Sequence, residues 1–166
     1  MIRPGDIFVV KRPTFFSNAI ARTCEFWAID GSAEYSHSGI ILSADGTTFE
    51  ARRRTGQYHM NDFRGLPILI GRHKDMTAKM ASLHFPALIL DYDGDVYPWW
   101  RILLHMIPIL SRKIGTGGHL VCSELSARFL YDCGFLPTFL GYNPDHIADM
   151  INLYRDWSIV LKGNYK

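Results

Sequence analysis

One of the three cysteines in this chain stands where a nucleophile would be expected. Cys122 follows a glycine-rich segment, residues 115–118, and begins a stretch whose apolar residues recur at helical spacing up to Asp132. At a helix N-terminus the free backbone N–H groups and the helix dipole favour a thiolate, the form of cysteine that attacks a carbonyl. The same N–H groups can stabilise the oxyanion of a tetrahedral intermediate. The pattern therefore predicts Cys122 as a nucleophile, and a buried apolar cysteine is the alternative.

A cysteine nucleophile needs a base, and His37 is the candidate. His37 begins a strand-like run, residues 37–42, and a histidine at the end of a strand can project into a cleft. Glu50 lies across the turn of a predicted hairpin, where its carboxylate could hold the imidazole ring in one tautomer. The alternatives are a solvent-exposed histidine and an ordinary surface glutamate.

Other candidate sites have less support in the sequence. Cys24 lies inside a predicted helix and close to His37 along the chain, and His119 lies in a glycine-rich loop, where a positioned base is uncommon. The remaining histidines lack zinc-ligand spacing, and the acidic run at residues 91–95 lacks the glutamate that completes a calcium loop. We therefore expect no metal and no cofactor.

Aromatic residues cluster at positions 92–100. They could line an acyl or glycan pocket or lie at a membrane surface, and packing over the core is the alternative for at least half of them. We predict that Trp99 of this cluster contacts the substrate, together with Tyr35, which lies two residues before His37.

Strands and helices must bring these side chains together. Apolar and β-branched runs between turn residues predict strands at residues 7–10, 38–42, 47–51, 68–70 and 157–161. Helical spacing and capping residues predict helices at about 17–28, from about 75, at 99–110, at 122–132 and from 143. The segments 38–42 and 47–51, joined by a short turn, form the predicted hairpin that carries His37 and Glu50.

Length and composition are typical of one packed domain. The chain has 166 residues, of which 48% are hydrophobic and 20% are charged. A formal charge of +2 and a basic run of only three residues, 52–54, do not predict a nucleic-acid partner. No secretion signal is visible, and the apolar stretch at 99–110 is too short for a transmembrane helix, so the sequence leaves room only for peripheral membrane contact.

The cysteine count bears on the compartment. Three cysteines without a CxxC pair cannot all form intramolecular disulfides, which favours a reducing environment. We therefore predict a cytoplasmic location, with a phage-encoded or specially secreted protein as the alternative.

Several of these segments, taken in order, resemble a known family. Residues 5–9 (GDIFV) and 36–40 (SHSGI) resemble the paired segments of NlpC/P60 cysteine peptidases, in which the nucleophile precedes both. Here the best cysteine follows them, in residues 119–125 (HLVCSEL), which look like the helix start of the permuted branch of that superfamily. That branch includes YiiX/YaeF-like bacterial and poxvirus proteins and, more distantly, lecithin:retinol acyltransferase-like enzymes. Residues 49–51 (FEA) and 143–147 (NPDHI) resemble its acidic position and its late helix start.

The resemblance implies both a fold and an activity. The fold is α+β and permuted papain-like, a single domain over residues 1–166 in which an antiparallel sheet packs against helices and the nucleophile begins a helix. The resemblance also implies Cys122 as nucleophile, His37 as general base and acid, and Glu50 as the residue that orients His37.

The activity it implies is cleavage of an amide or ester through an acyl-cysteine intermediate. The substrate would be a peptide, a peptidoglycan fragment or a lipid. A lipid acyltransferase or phospholipase and a non-catalytic binding module are the alternatives. Residues 52–118 match no part of the family's pattern, so the resemblance does not identify the substrate.

Overall fold

An antiparallel sheet organises the fold. The computed structural model describes residues 1–13, 22, 25, 33–98 and 118–166. The strands in this part of the chain are β1 (Ile7–Val10), β2 (His37–Ile41), β3 (Thr47–Ala51), β4 (Thr55–His59), β5 (Pro67–His73) and β6 (Trp157–Asn164). They lie in the order β4, β3, β2, β1, β5, β6, and every neighbouring pair is antiparallel.

Strand β1 lies inside the sheet and is buried along its whole length. It pairs with β2 on one side and with β5 on the other, with Val10 opposite His37 and Phe8 opposite Ile70. Its side chains alternate between the two faces, where Val9 joins the larger core cluster and Phe8 joins a second cluster. Because both faces are covered, the strand has an unbroken apolar sequence and not an alternating one.

Three helices are described, and local signals account for their ends. They are α1 (Ala78–Tyr92), α2 (Cys122–Asp132) and α3 (Pro144–Leu153), and a 3-10 helix spans Met60–Phe63. The side chain of Thr77 accepts a hydrogen bond from the Met80 amide at 3.1 Å at the start of α1, and Asn143 caps α3 in the same way at 2.8 Å. Beyond α2, Gly134 has a φ of 80°, a value that glycine adopts without strain and that commonly ends a helix. The predicted α+β class is therefore confirmed.

The main difference from the expected elements is strand β4, which was not predicted. Its sequence, TGQYH, has no apolar run and includes a glycine. β4 lies at one edge of the sheet and Thr55 is its one buried residue, so a hydrophobic pattern is not required. Strands β5 and β6 are also longer than predicted, and they pair with each other along their length with one irregularity between Ile70 and Gly71.

Two predicted helices, at about 17–28 and at 99–110, lie outside the described residues, apart from Arg22 and Glu25 of the first, which are helical. Within the part of the chain that is described, no helix combines the length and the apolar character needed to cross a membrane.

Candidate active site

Cys122 is the first residue of α2, and the helix is tied to the sheet one turn further on. The hydroxyl of Ser126 lies 3.2 Å from the hydroxyl of Ser38 in β2 and hydrogen-bonds to the carbonyl of Cys122 at the same distance. The side chain of Cys122 is 5% exposed, so its sulfur is largely shielded from bulk water. Helix α2 therefore holds a nearly buried thiol at its N-terminus, next to the start of β2.

His37 is the first residue of β2, so its ring lies at the end of that strand. The strand pairing places His37 opposite Val10 of β1. The ring centre lies 6.4 Å from that of Phe8 and 6.0 Å from that of Phe63, and two aromatic contacts restrict its rotation. His37 and Cys122 each begin their own element, and their side chains are near enough for each to shift the pKa of the other.

Glu50 binds the other side of the His37 ring. Its Oε2 lies 2.7 Å from Nε2 of His37, and the carboxylate is fully buried. Since Nε2 is engaged by Glu50, Nδ1 is the ring nitrogen left for the proton of Cys122. The structure thus brings Cys122, His37 and Glu50 together in that order, with His37 hydrogen-bonded to Glu50 and in electrostatic contact with Cys122.

Gly39 explains how Glu50 reaches a histidine that is not directly opposite it. The register between β2 and β3 pairs Ile40 with Phe49, and its continuation places Gly39 opposite Glu50. A Cβ atom added at Gly39 would lie 2.6 Å from Cγ of Glu50 and 2.6 Å from the Phe8 ring, well inside contact distance. The missing side chain lets the glutamate pass over Gly39 to His37, two residues along the same face.

Arg52 is a further member of this cluster, and the sequence did not single it out as a site residue. Its Nε and Nη2 donate to the two oxygens of Glu50 at 2.9 and 3.1 Å, and its Nη1 donates to Asp62 at 2.7 Å. Thr48 donates a further hydrogen bond to Glu50. With these donors and His37, the buried carboxylate is fully paired, so its desolvation cost is offset.

The charges of these groups act on one another through the buried site. Burial would raise the pKa of Glu50, but hydrogen bonds and charges from His37 and Arg52 lower it to about 2. Burial would lower the pKa of His37, but the Cys122 thiolate and Glu50 raise it to about 8. Glu50 therefore stays ionised and His37 holds a proton readily at neutral pH.

The thiol of Cys122 is acidified by its neighbours. Burial alone would raise its pKa, but the charge and hydrogen bond of His37, the Ser38 backbone N–H and the Tyr97 hydroxyl together bring it below that of an ordinary cysteine. A lowered thiol pKa beside a raised imidazole pKa favours a thiolate–imidazolium pair at neutral pH.

Tyr97 is a second residue whose proximity to the thiol was not predicted from the sequence. Its hydroxyl lies 3.9 Å from Sγ of Cys122 and accepts a hydrogen bond from the Cys122 backbone N–H. Its backbone N–H donates to the Arg53 carbonyl at 3.1 Å, which fixes Tyr97 next to the chain that leaves β3. Burial raises the pKa of Tyr97 well above its usual value, so the hydroxyl keeps its proton at neutral pH. The sequence placed Tyr97 only within the aromatic cluster at 92–100.

The other candidates from the sequence have different surroundings. Tyr35 is 7% exposed and packs within the larger core cluster, so its predicted contact with substrate stays a prediction. The Nδ1 atom of His119 lies 3.3 Å from the carboxylate of Asp95, so the ion-pair partner of this histidine is Asp95 and not Cys122. Trp99 and Cys24 lie outside the described residues. Both described cysteines, Cys122 and Cys133, are free.

Comparison with known proteins supports the fold. The chain is similar to a crystal structure of the metalloprotein YiiX from Escherichia coli O157:H7, with a TM-score of 0.62 at 13% sequence identity. The match covers 96% of this chain and 97% of that one, so the YiiX-like fold extends over almost all of both. No family model matches the sequence. No curated protein matches it either.

We expect Cys122 to be the fastest of the three cysteines to react with iodoacetamide. Burial and the nearby Asp132 carboxylate raise the pKa of Cys133 to about 12, whereas the pKa of Cys122 is lowered, so only Cys122 of these two carries much thiolate near neutral pH. Between pH 6 and 8 its rate should exceed that of Cys133 by at least about tenfold. Peptide mapping by mass spectrometry after timed labelling measures this. Rapid labelling of Cys133 with an inert Cys122 would contradict the assignment.

Proposed function

We propose that this protein is a cysteine hydrolase that cleaves an amide or ester through an acyl-cysteine intermediate. The observation that carries the proposal is the buried His37–Glu50 pair, 2.7 Å apart, beside the thiol of Cys122 at a helix N-terminus, where His37 and Cys122 each shift the pKa of the other. A nucleophile, a base in contact with it and a group that orients the base are the parts that acyl transfer requires.

The first step forms the acyl-enzyme. The Cys122 thiolate attacks the carbonyl carbon, a C–S bond forms, and the carbonyl π electrons move to oxygen to give a tetrahedral oxyanion. The Tyr97 hydroxyl lies 3.9 Å from the sulfur and can donate to that oxyanion. The Cys122 N–H, which donates to the Tyr97 oxygen in the free enzyme, can exchange that acceptor for the oxyanion. When the oxyanion collapses, the C–N or C–O bond breaks and the leaving group takes the proton held by His37.

The second step releases the acid. Neutral His37 takes a proton from water while the water oxygen attacks the thioester carbonyl. Collapse of this second intermediate breaks the C–S bond, and the thiolate and the imidazolium are restored. Glu50 keeps the ring in the same orientation throughout, and Arg52 in turn holds Glu50.

The proposal extends to the family and the domain. The order of the sequence motifs, together with the YiiX-like fold, supports a permuted papain-like domain over the whole chain, in which the nucleophile follows the histidine strand in sequence. A peptide, a peptidoglycan-type amide and a lipid ester are all compatible with this chemistry. The stretch that would favour a lipid-directed acyltransferase, residues 99–104, lies outside the described residues.

The similar structure is described as a metalloprotein, which raises the question of whether the donor groups of this chain could hold a metal ion. Among the described residues, no group of three or more histidine, cysteine, aspartate or glutamate side chains is arranged to do so. The acidic and imidazole groups of the site are already paired with one another and with Arg52. This donor set does not fit a metal centre, and no step of the mechanism is assigned to one.

An activated ester tests the proposal directly. With p-nitrophenyl acetate we expect a burst of p-nitrophenol and a transient adduct of about 42 Da on the peptide that contains Cys122. Rapid acid quenching followed by mass spectrometry detects the adduct. Neutral hydroxylamine serves as the control, because it cleaves a thioester and leaves acetyl-lysine intact. An acetyl group found only at lysine, or resistant to hydroxylamine, would contradict the acyl-cysteine mechanism.

A further inference from the structure

Arg12 lies beside the candidate active site and is not used in the mechanism above. It follows β1 by two residues, and its backbone N–H donates to the Ser36 hydroxyl at 3.2 Å, directly before His37. Its guanidinium carbon lies 5.2 Å from the centre of the Phe63 ring. The Arg52 guanidinium and the His37 ring lie 5.0 and 6.0 Å from that same centre. Phe63 therefore has two arginines and the proposed base around it.

The two arginines differ in their partners. Arg52 donates to Glu50 and Asp62, which are the acidic groups closest to this cluster. The guanidinium of Arg12 has no carboxylate within ion-pair distance and no hydrogen bond to another side chain among the described residues. A partly buried cation beside a second cation is costly unless an anion joins it.

The electrostatics of Arg12 agree with this description. Burial and the positive charge of Arg52 lower the pKa of Arg12, and the negative charges of Glu50, the Cys122 thiolate and Asp62 offset this only in part. The influence of Cys122 on Arg12 also means that the guanidinium lies within electrostatic reach of the sulfur. An anionic group bound at Arg12 would lie beside the same Phe63 ring as the proposed base, on the side of the molecule where the reaction takes place.

We propose that Arg12 forms a subsite for an oxyanion group, a carboxylate or a phosphate, which the substrate carries near its scissile carbonyl. A guanidinium binds either group through two parallel N–H···O hydrogen bonds, and none of the described residues occupies the side-chain donors of Arg12. The inference rests on the proposed function, because it takes Cys122 as the reacting atom. It narrows the substrate class to anionic amides or esters.

Two alkylating reagents of nearly equal size test the subsite. Iodoacetate carries a carboxylate and iodoacetamide is neutral, and both react with the same thiolate, so the ratio of their rates at Cys122 cancels any change in thiol pKa. We expect Arg12→Gln to lower this ratio by about fivefold to tenfold at low salt. Arg12→Lys keeps the charge but loses the two parallel N–H donors of the guanidinium, so its rate ratio should lie between those of the native protein and Arg12→Gln. Arg3→Gln is the matched control, since it removes an exposed arginine before the opposite end of β1 and should leave the ratio unchanged.

The outcomes separate the inference from the proposed function. A Cys122 that reacts with neither reagent would refute the proposed function and the inference with it. A reactive Cys122 whose rate ratio is the same in native protein and in Arg12→Gln would overturn the subsite alone. The iodoacetamide rate and the circular dichroism spectrum of each variant report whether the site is intact.

Competition identifies the oxyanion. Acetate and inorganic phosphate, each compared with chloride at equal ionic strength, should slow alkylation of the native protein by iodoacetate. The anion that slows alkylation more strongly indicates whether the substrate group bound at Arg12 is a carboxylate or a phosphate. If neither acetate nor phosphate protected Cys122 more than chloride does, Arg12 would act only through its long-range charge, and the proposed subsite would be wrong.

Discussion

Replacing Cys122 with alanine is expected to lower kcat/KM for an activated ester or amide substrate by at least about 10⁴-fold. The physical reason is that the proposed mechanism depends on a covalent bond to sulfur, and the other parts of the site only position and stabilise groups around it. The fold should survive, because the side chain is small, lies at the first residue of α2 and forms no disulfide.

Cys133→Ala is the matched control, because it removes the thiol at the other end of the same helix. Its kcat/KM should stay within about twofold of the native value, since its thiol is largely protonated and takes no part in the proposed reaction. Steady-state kinetics of both variants, with thermal unfolding measured in parallel, decide the question. Turnover at the native level in Cys122→Ala would refute the nucleophile assignment.

Replacing His37 with alanine is expected to lower kcat/KM by about 10³-fold to 10⁴-fold. Without the imidazolium, the thiol of Cys122 loses its main stabilising charge, so its pKa rises, and the leaving group loses its proton donor. Both consequences reduce the rate. The alkaline limb of the native pH profile should lie near pH 8, where His37 loses the proton that it donates, and this limb should vanish in the variant.

His119→Ala is the control for this variant, because His119 is the rival base that lies nearer to Cys122 in sequence. It faces Asp95 at 3.3 Å and is partly exposed, so its loss should change kcat/KM by less than about threefold. If His37→Ala retained native turnover while His119→Ala lost it, the two roles would be reversed.

Glu50→Gln extends the same experiment to the orienting group. An amide oxygen can still accept from His37, so we expect a smaller loss than in His37→Ala, about 10-fold to 100-fold. The loss is not negligible, because the amide N–H₂ would meet the donors of Arg52 and Thr48, which now bind the second carboxylate oxygen. Removing the negative charge should also lower the pKa of His37 and move the alkaline limb to lower pH. An unchanged limb would argue against Glu50 acting through the histidine.

The hairpin and the helix start follow largely from local sequence. The run before the turn contains two isoleucines, and the run after it contains two threonines and a phenylalanine. Such residues suit strands that pair across a short connection, and the two runs form β2 and β3. A flexible glycine-rich segment before Cys122 and Gly134 after Asp132 bracket a stretch of helical periodicity, and this stretch is α2. Cys122 and His37 could therefore be proposed as site residues because each marks the start of an element that its own neighbours specify.

Other parts of the site depend on segments that are distant in sequence. Arg52 and Arg12 both lie beside the ring of Phe63, which belongs to a 3-10 helix that the sequence did not predict. Tyr97 reaches Cys122 because its backbone pairs with residue 53, and such a pairing leaves no periodic pattern in either segment. Edge strand β4 likewise carries no apolar run.

By itself, then, the sequence determined the α+β class, the two elements that begin with His37 and Cys122, and the position of Glu50 across the turn. Local periodicity, capping and turn chemistry suffice for these, since each depends on residues within one or two turns of chain. Only the tertiary structure decided that Glu50 passes over Gly39, which has no side chain, to reach His37, and that Arg52 completes the hydrogen bonds of Glu50. It also decided that Arg12 lies beside the Phe63 ring and that Tyr97 lies near the sulfur. These contacts join segments that are distant in sequence. The free energy that favours them comes from burying the apolar surfaces of several segments against one another, and the sequence of one segment does not specify that packing.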